Sequence, residues 1–139
     1  MQKTVGQLLD AKGSEVWTIG PEATVYEALQ RLADKDIGAL VVVDGGKVCG
    51  IISERDYARK IRLLERESRD TKVSEIMTGD PATIGSDGNL AEALEIMSRG
   101  GFHHLPVTHD GKAIGLLSND DIPDEYRMLL ERFKEMRGG

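Results

Sequence analysis

The sequence predicts an α/β protein built from two pseudo-symmetric repeats, each with the order strand, helix, strand, strand, helix. Residues 17–56 align with residues 82–121 without a gap. Each copy contains an apolar stripe at helical spacing, followed by two β-branched runs around a glycine turn. Because the matches include glycines and polar residues, the copies should share backbone geometry and a type of site. The chain thus divides into 1–70, the first repeat with an N-terminal prelude, and 71–139, the second repeat with a C-terminal amphipathic helix.

The first helix of each repeat is predicted by its start signal and its apolar stripe. Thr24 and Glu27 have the spacing of a capping box, and Asn89 and Glu92 have the same spacing in the second copy. A helix of about ten residues is expected after each start signal. The apolar stripes consist of Val25, Ala28, Leu29 and Leu32, and of Leu90, Ala93, Leu94 and Met97.

A short strand before this helix and a hairpin after it complete the predicted sheet of each repeat. The turn sequences Asp44-Gly45-Gly46-Lys47 and His109-Asp110-Gly111-Lys112 are typical of a tight antiparallel hairpin when β-branched runs flank them. The strands are expected at 16–19, 39–43 and 48–52 in the first copy, and at 82–84, 105–107 and 113–117 in the second.

Each hairpin leads into a Ser-x-x-Asp element that should begin the last helix of its repeat. These elements are Ser53–Asp56 and Ser118–Asp121. Serine is a favourable N-cap, and an aspartate in the first turn is stabilised by the helix dipole. Since free N–H groups at a helix start also bind anions, the two helix starts are the candidate functional points.

Three further segments lie outside the repeat core. Short amphipathic preludes, Thr4–Leu9 and Lys72–Met77, precede the repeats and are expected to pack each half onto the other. The charged connection 62–71 is predicted to be helical for most of its length. Residues 123–137 predict an amphipathic helix whose apolar face needs a partner. That face consists of Tyr126, Leu129, Leu130, Phe133 and Met136.

Composition excludes several classes of function. A net charge of −6 argues against a general nucleic-acid binder, whose affinity rests on clustered cations. No segment approaches the roughly 20 apolar residues of a membrane span, and the N-terminus lacks the apolar run of a signal peptide. The single cysteine, Cys49, cannot form an internal disulfide, so the cytoplasm is the expected compartment. Its position opposite Ile114 predicts a small buried hydrophobe, not a nucleophile.

The arrangement resembles a CBS-domain pair, the Bateman-type regulatory module named after cystathionine β-synthase. The resemblance spans essentially the whole chain and implies pseudo-two-fold symmetry, with clefts between the repeats that can hold adenosine-containing ligands. The segments that carry it are Gly50-Ile51-Ile52-Ser53-Glu54-Arg55-Asp56, Gly115-Leu116-Leu117-Ser118-Asn119-Asp120-Asp121, His103-His104-Leu105-Pro106-Val107 and Ile76-Met77-Thr78.

The resemblance assigns Asp56 and Asp121 to the ribose. A carboxylate at this position can accept hydrogen bonds from both the 2′ and the 3′ hydroxyl groups. The alternative interpretation is purely structural, because an aspartate in a first helical turn is favourable without any ligand. Ser53 and Ser118 have the same two interpretations, as phosphate ligands and as plain N-caps.

For the base and the phosphate, the resemblance indicates the first strands and the starts of the second strands. Family members place cationic or donor side chains at the positions of Arg55, His103 and His104, and Arg55 suits phosphate as a permanent cation. Its counterpart Asp120 would repel phosphate, so the two clefts should differ. Backbone groups would read the adenine edge while side chains sandwich its ring. The remaining predicted nucleotide-binding residues are Trp17, Thr18, Ile37, Gly38, Ala39, Ala82, Thr83, Phe102, Leu105 and Pro106.

The resulting hypothesis is a non-enzymatic sensor of adenine nucleotides, AMP, ADP, ATP or NAD(H), that signals energy state to a protein partner through a conformational shift. No cofactor is required, and a homodimer is expected. His103 and His104 point to opposite faces of a strand, so no metal site is predicted. No nucleophile elbow supports Ser-His-Asp catalysis. The alternative is a ligand-free dimerisation scaffold, which Asp120 favours and the doubled Asp motif disfavours.

Overall fold

A computed structural model describes residues 4–12 and 16–136 of the chain. These residues form two compact units, which we call the first-half unit and the second-half unit. The first-half unit contains Val16–Pro81 and Asp110–Ala113. The second-half unit contains Ala82–His109 together with the described residues of 1–15 and 114–139.

The elements follow the predicted order of two strand, helix and hairpin repeats, which confirms the α/β class. In chain order they are α1 (Val5–Lys12), β1 (Thr18–Ile19), α2 (Val25–Lys35), β2 (Ala39–Asp44), β3 (Lys47–Ser53), α3 (Glu54–Tyr57), a π-helix (Ala58–Arg62), α4 (Val73–Ile76), β4 (Thr78–Gly79), β5 (Ile84–Gly85), α5 (Leu90–Gly100), β6 (His104–His109), β7 (Lys112–Ser118), a 3₁₀ turn (Asn119–Asp121) and α6 (Asp124–Met136).

The strands of each unit pair as the repeat predicts. The first strand lies parallel to the second strand of its repeat, with Thr18 opposite Val41 in one unit and Ile84 opposite Val107 in the other. β3 runs antiparallel to β2 and also pairs with the short strand β4. In the second-half unit β7 is the neighbour of β6.

Local chemistry explains where the first helices begin. The side chain of Thr24 accepts a hydrogen bond from the Glu27 N–H at 3.1 Å, and that of Asn89 accepts one from the Glu92 N–H at 2.7 Å. Each bond satisfies an N–H that has no partner within the helix. The predicted starts of α2 and α5 are therefore confirmed.

The two hairpin turns also follow from their sequences. Both central residues have positive φ, 58° and 85° for Gly45 and Gly46, and 52° and 80° for Asp110 and Gly111. A two-residue turn with positive φ at both positions matches the twist of the flanking strands, and glycine adopts it without strain. The four hairpin strands begin and end within two residues of their predicted positions.

The preludes exchange partners relative to their order in the sequence. In the second-half unit, Val5 N–H donates to Gly88 O at 2.8 Å, and Val5 and Leu9 are buried in the core. In the first-half unit, Val73 N–H donates to Ala23 O at 2.8 Å, and Ile76 is buried. Each prelude thus packs on the repeat that it does not precede.

The prediction of a helical connection over 62–71 is wrong. The π-helix ends at Arg62, and Glu65 has a φ of 56°, outside the helical region. Leu63 and Leu64 are 76% and 65% exposed, and the charged sequence that follows offers no apolar face for a helix to bury. Without such a face a short helix has little to stabilise it.

The second Ser-x-x-Asp element starts a 3₁₀ turn, not the last helix. Ile122 has an extended conformation, with φ −87° and ψ 124°, because the residue before a proline is disfavoured in the helical region. The predicted C-terminal helix then begins separately at Asp124. Tyr126 is buried in the second-half core, whereas the side chains at 129, 130, 133 and 136 lie outside the described ones.

Candidate functional site

Both candidate aspartates are held by a capping box. Asp56 Oδ2 accepts hydrogen bonds from Ser53 N–H at 2.9 Å and from Ser53 Oγ at 3.1 Å. Asp121 Oδ2 accepts one from Ser118 N–H at 2.8 Å. The capping interpretation is therefore confirmed for both halves, and the ribose role stays a prediction. The two roles are compatible, because a carboxylate has about four lone-pair sites.

A lysine distinguishes Asp56 from Asp121. The Lys60 ammonium lies 3.4 Å from Asp56 Oδ1 and donates to Ile76 O at 2.9 Å. The Asp56 residue is only 8% exposed, so this ion pair is partly shielded from water. Continued without a gap, the repeat alignment places Glu125 at the position of Lys60. The first-half carboxylate thus has a cation four residues away and the second-half carboxylate does not.

Backbone hydrogen bonds join the separate segments of each candidate site. Glu54 N–H donates to Gly38 O at 3.1 Å, and Asn119 N–H donates to His103 O at 2.8 Å. Ala39 lies opposite Ser53 in the strand register. The start of the second strand and the start of the following helix are therefore adjacent in both halves, as the nucleotide-binding hypothesis requires.

The predicted residues differ in how much side chain they expose. In the first-half unit Arg55 is exposed, Ala39 and Asp56 are buried, and the others are half-buried, namely Trp17, Thr18, Ile37, Gly38 and Ser53. In the second-half unit Ala82, Thr83 and His103 are exposed, whereas Phe102, His104 and Ser118 are half-buried. The strand expected at 82–84 begins only at Ile84, so Ala82 and Thr83 precede it.

Two predicted residues of β6 have buried side chains. Leu105 is fully buried in the second-half core, and Pro106 is also buried. Because both side chains are buried, a ligand would contact these two residues through their backbone carbonyl groups or the Leu105 N–H. Proline has no N–H to donate.

The sequence prediction missed two cations beside the first strand. The Lys35 ammonium lies over the Trp17 ring, 4.2 Å from its centroid. An Arg31 guanidinium N–H donates to Thr18 O. Arg31 and Lys35 are four residues apart on α2 and therefore lie on one helical face. That spacing was visible in the sequence, but its contact with β1 depends on how α2 crosses the strand.

A third cation was missed in the second-half unit. Arg127 donates to the backbone and side-chain oxygens of Asn119 and forms an ion pair with Asp124 at 2.9 Å. Together with Phe102 and His103, Asn119 and Arg127 line a cavity of about 290 Å³. This volume is at the lower limit of small-molecule pockets. A larger cavity of about 540 Å³, lined by Thr4, Ser86 and neighbouring residues, contains none of the predicted residues.

The surroundings of Cys49 do not favour a reactive thiol. Burial, together with the nearby Asp44 carboxylate, raises the pKa of the Cys49 thiol, and the residue packs against the first-half core. A thiol with a raised pKa is a poor nucleophile at neutral pH. Within residues 4–12 and 16–136, no three or more His, Cys, Asp or Glu side chains are grouped so that they could hold a metal ion. None of the helices in this part of the chain has the length and apolar character for crossing a bilayer.

Comparison with known proteins identifies the repeats. The profile of the CBS domain matches residues 10–63 and 73–126. The Arabidopsis thaliana CBS domain-containing protein CBSX3, mitochondrial, is 36% identical over 93% of this chain and 67% of its own length. Longer Arabidopsis relatives match over only about a fifth of their length.

Solved structures have the same fold. A Burkholderia ambifaria protein with CBS domains has a TM-score of 0.80 and 43% identity, over 86% of this chain and 90% of its own. A Pyrobaculum aerophilum CBS domain protein, solved as a complex with AMP, has a TM-score of 0.81 and 21% identity, over 93% of this chain and 98% of its own. The predicted resemblance is therefore confirmed.

Proposed function

Since the chain belongs to the CBS domain family and contains two copies of the domain, we propose that it is a non-enzymatic regulatory module that binds adenine nucleotides. The ligand class comprises AMP, ADP, ATP and NAD(H). Occupancy changes the conformation of the module and is thereby signalled to a protein partner. A ligand produces such a change only through unequal affinity for two conformations.

The observation that carries this proposal is the doubled capping box joined to the start of the second strand. It holds a carboxylate in a fixed orientation at each helix start, with Asp56 only 8% exposed. A preorganised acceptor loses little freedom when a diol binds, so each hydrogen bond contributes more to affinity. Ser53 occupies one oxygen of Asp56 and leaves lone pairs for the ribose hydroxyl groups.

The first-half site is the stronger candidate. Gly38 and Ala39 offer backbone groups and little side chain against the base, and Trp17 offers a ring for stacking. Arg55 is exposed and suits phosphate. In the second-half site, exposed Asp120 opposes a phosphate, although His103 and Arg127 supply nearby donors. We propose Thr18, Ile37, Ala82, Thr83, Phe102, His104, Leu105 and Pro106 as further contacts.

The test is thermal unfolding of the purified protein with AMP, ADP, ATP, NAD, NADH and S-adenosylmethionine, and with GMP as a control. A ligand at one hundred times its dissociation constant adds about 2.7 kcal/mol of stability, which raises Tm by several degrees. A selective rise with adenine compounds supports the proposal. If nucleotide-free protein has the same Tm with every compound, the proposal fails and the ligand-free dimerisation scaffold replaces it.

A second measurement tests the ribose contact separately. The 2′-deoxy analogue of the best ligand should bind detectably more weakly than the ribonucleotide, because one hydrogen bond to the carboxylate is lost. Equal affinity would mean that the base and the phosphate alone are recognised.

We also propose that the module is a homodimer in the cytoplasm. Met128 on α6 is 61% exposed, an apolar side chain available for a second copy. The single cysteine suits a reducing compartment. Light scattering coupled to size exclusion should give twice the monomer mass of 15.2 kDa, and a monomeric mass would refute the dimer.

A further inference from the structure

The Trp17 indole carries a cation on one of its faces. Lys35, in the last turn of α2, places its ammonium 4.2 Å from the ring centroid. Trp17 is half-buried and packs against the first-half core, whereas Lys35 is exposed. The ammonium therefore lies on the side of the ring that the core leaves open. A cation over an indole is attracted by the negative face of the ring.

Arg31 fixes the strand beneath this pair. Its guanidinium donates to Thr18 O, directly after Trp17, and comes from the same face of α2 as Lys35. Trp17 O in turn accepts a hydrogen bond from Val41 N–H at 3.3 Å, which joins the residue to β2. The indole is thus held by strand pairing, while Lys35 is exposed and carries its ammonium on a flexible four-carbon stem.

The second half has a different arrangement at the corresponding positions. The repeat alignment places Ala82 opposite Trp17, Ile96 opposite Arg31 and Gly100 opposite Lys35. The space beside Gly100 is filled by the Phe102 ring, which a Cβ atom on the glycine would overlap. Among these three pairs of aligned positions, only those of the first half combine an aromatic ring with a cation over its face.

We infer that Lys35 is a specificity-determining residue, which makes the first-half site prefer phosphorylated adenine compounds over neutral nucleosides and over cationic S-adenosylmethionine. The inference rests on the proposed function, since it concerns the same site. A base that stacks on the open face of Trp17 must displace the ammonium and loses the cation–π attraction. A phosphate on the ligand offers the displaced ammonium a new partner. A neutral nucleoside offers none, and a sulfonium repels it.

The experiment uses Trp17 fluorescence, because this is the single tryptophan of the chain. AMP, adenosine and S-adenosylmethionine are titrated into the wild-type protein and into three variants. Lys35→Met removes the charge but keeps the length of the side chain. Lys35→Arg keeps the cation. Lys47→Met is the matched control, an exposed lysine of the same unit that lies opposite Asp44 beside the hairpin turn.

The expected result is a lower ratio of AMP affinity to adenosine affinity in Lys35→Met. The ratio should fall about two- to fivefold, the equivalent of an exposed ion pair between the ammonium and the phosphate, because the cation–π contact is lost with both ligands. Lys35→Arg and Lys47→Met should keep the wild-type ratio, and S-adenosylmethionine should bind more tightly to Lys35→Met.

Two outcomes overturn the inference while the proposed function stands. One is AMP binding by the wild type with an unchanged affinity ratio in Lys35→Met. The other is an equal fall in Lys47→Met, which would indicate a general effect of net charge. If the wild-type protein binds no adenine compound by fluorescence or by thermal shift, the proposed function itself fails and this inference fails with it.

Discussion

The two helix starts of the protein have the same cap and different charges around it. In the first half Asp56 pairs with Lys60, and the preceding residue is Arg55. In the second half Asp121 follows Asp120, and the nearby cation is Arg127, which Asn119 and Asp124 hold. The comparison separates two kinds of constraint. The bond from the serine N–H to the aspartate and the parallel strand pairing occur in both halves. The charged side chains around the cap differ, and we propose that they set the preference for a ligand.

The largest expected effect tests whether the cores of the two halves contribute equally to the free energy of unfolding. Leu40 and Leu105 occupy aligned positions and are both fully buried. Each Leu→Ala substitution should lower the free energy of unfolding by about 2–5 kcal/mol, because it removes buried surface and leaves a cavity. Denaturant unfolding measures both, with Leu63→Ala, at a position 76% exposed, as the control. A markedly smaller cost in one half would contradict equal packing of the two cores.

The next effect sharpens the comparison of the two carboxylates. Asp56→Ala should weaken nucleotide binding by about 1.5–3 kcal/mol, the contribution of hydrogen bonds to a charged group. Asp121→Ala should weaken it less, since Asp120 disfavours phosphate in that half. Calorimetric titration with the nucleotide selected by thermal shift gives both affinities.

Asp56 also belongs to the capping box, so its substitution carries a separate cost in stability. Loss of a cap costs about 0.5–2 kcal/mol. Thr24→Ala is the control, because it removes an N-cap of the same unit and leaves the predicted site residues unchanged. Wild-type affinity in Asp56→Ala, or a larger loss in Asp121→Ala, would reverse the assignment of the stronger site to the first half.

Two glycines, Gly50 and Gly115, face prelude side chains, and their substitution should have an effect of intermediate size on stability. A Cβ atom on Gly50 would overlap Met77 Sδ and lie 3.0 Å from the backbone oxygen of Thr78. On Gly115 it would lie 2.6 Å from Leu9 Cδ1, an atom at the end of a flexible side chain. Gly50→Ala should therefore destabilise by about 1–3 kcal/mol, as overpacked sites do, and Gly115→Ala by less. Thermal unfolding of both variants checks the order, and the reverse order would refute this argument.

The smallest effect concerns how stability depends on pH through the side chains that cap the two prelude helices, α4 and α1. Glu75 accepts hydrogen bonds from Lys72 N–H at 2.7 Å and Arg66 at 2.6 Å, and these lower its pKa. A lowered folded-state pKa stabilises the fold above the unfolded value of about 4.3, and this contribution is lost as pH falls through the folded value. In α1 the uncharged Gln7 accepts the equivalent bond from Thr4 N–H.

Glu75→Gln should therefore make the cap of α4 as independent of pH as that of α1. The difference in Tm between the wild type and Glu75→Gln should narrow as the pH is lowered from 6 towards 3. Gln7→Ala is the control, whose difference from wild type should stay constant over this range. A constant difference for Glu75→Gln as well would exclude a role of the carboxylate charge in the cap.

Features that depend only on residues close together in the sequence could be predicted. Thr24, Asn89 and the glycine turns obey rules that span two to four positions, and their elements formed where predicted. The connection 62–71 is not helical as predicted, because Leu63 and Leu64 have no apolar surface to pack against. The ion pair of Lys60 with Asp56 could have been predicted from its four-residue spacing. The Lys35 contact with Trp17 was not, because it depends on how α2 crosses β1.

The exchange of preludes sets an order of events during synthesis on the ribosome. Residues 16–81 emerge as one stretch that includes α4, the prelude on which the first-half core depends. α1 is made earlier, but Val5 and Leu9 find their partners only after residues beyond 82 have emerged. Domains generally fold in the order of synthesis. α1 therefore leaves the ribosome before the first-half unit but is buried after it, and its docking completes the second-half core.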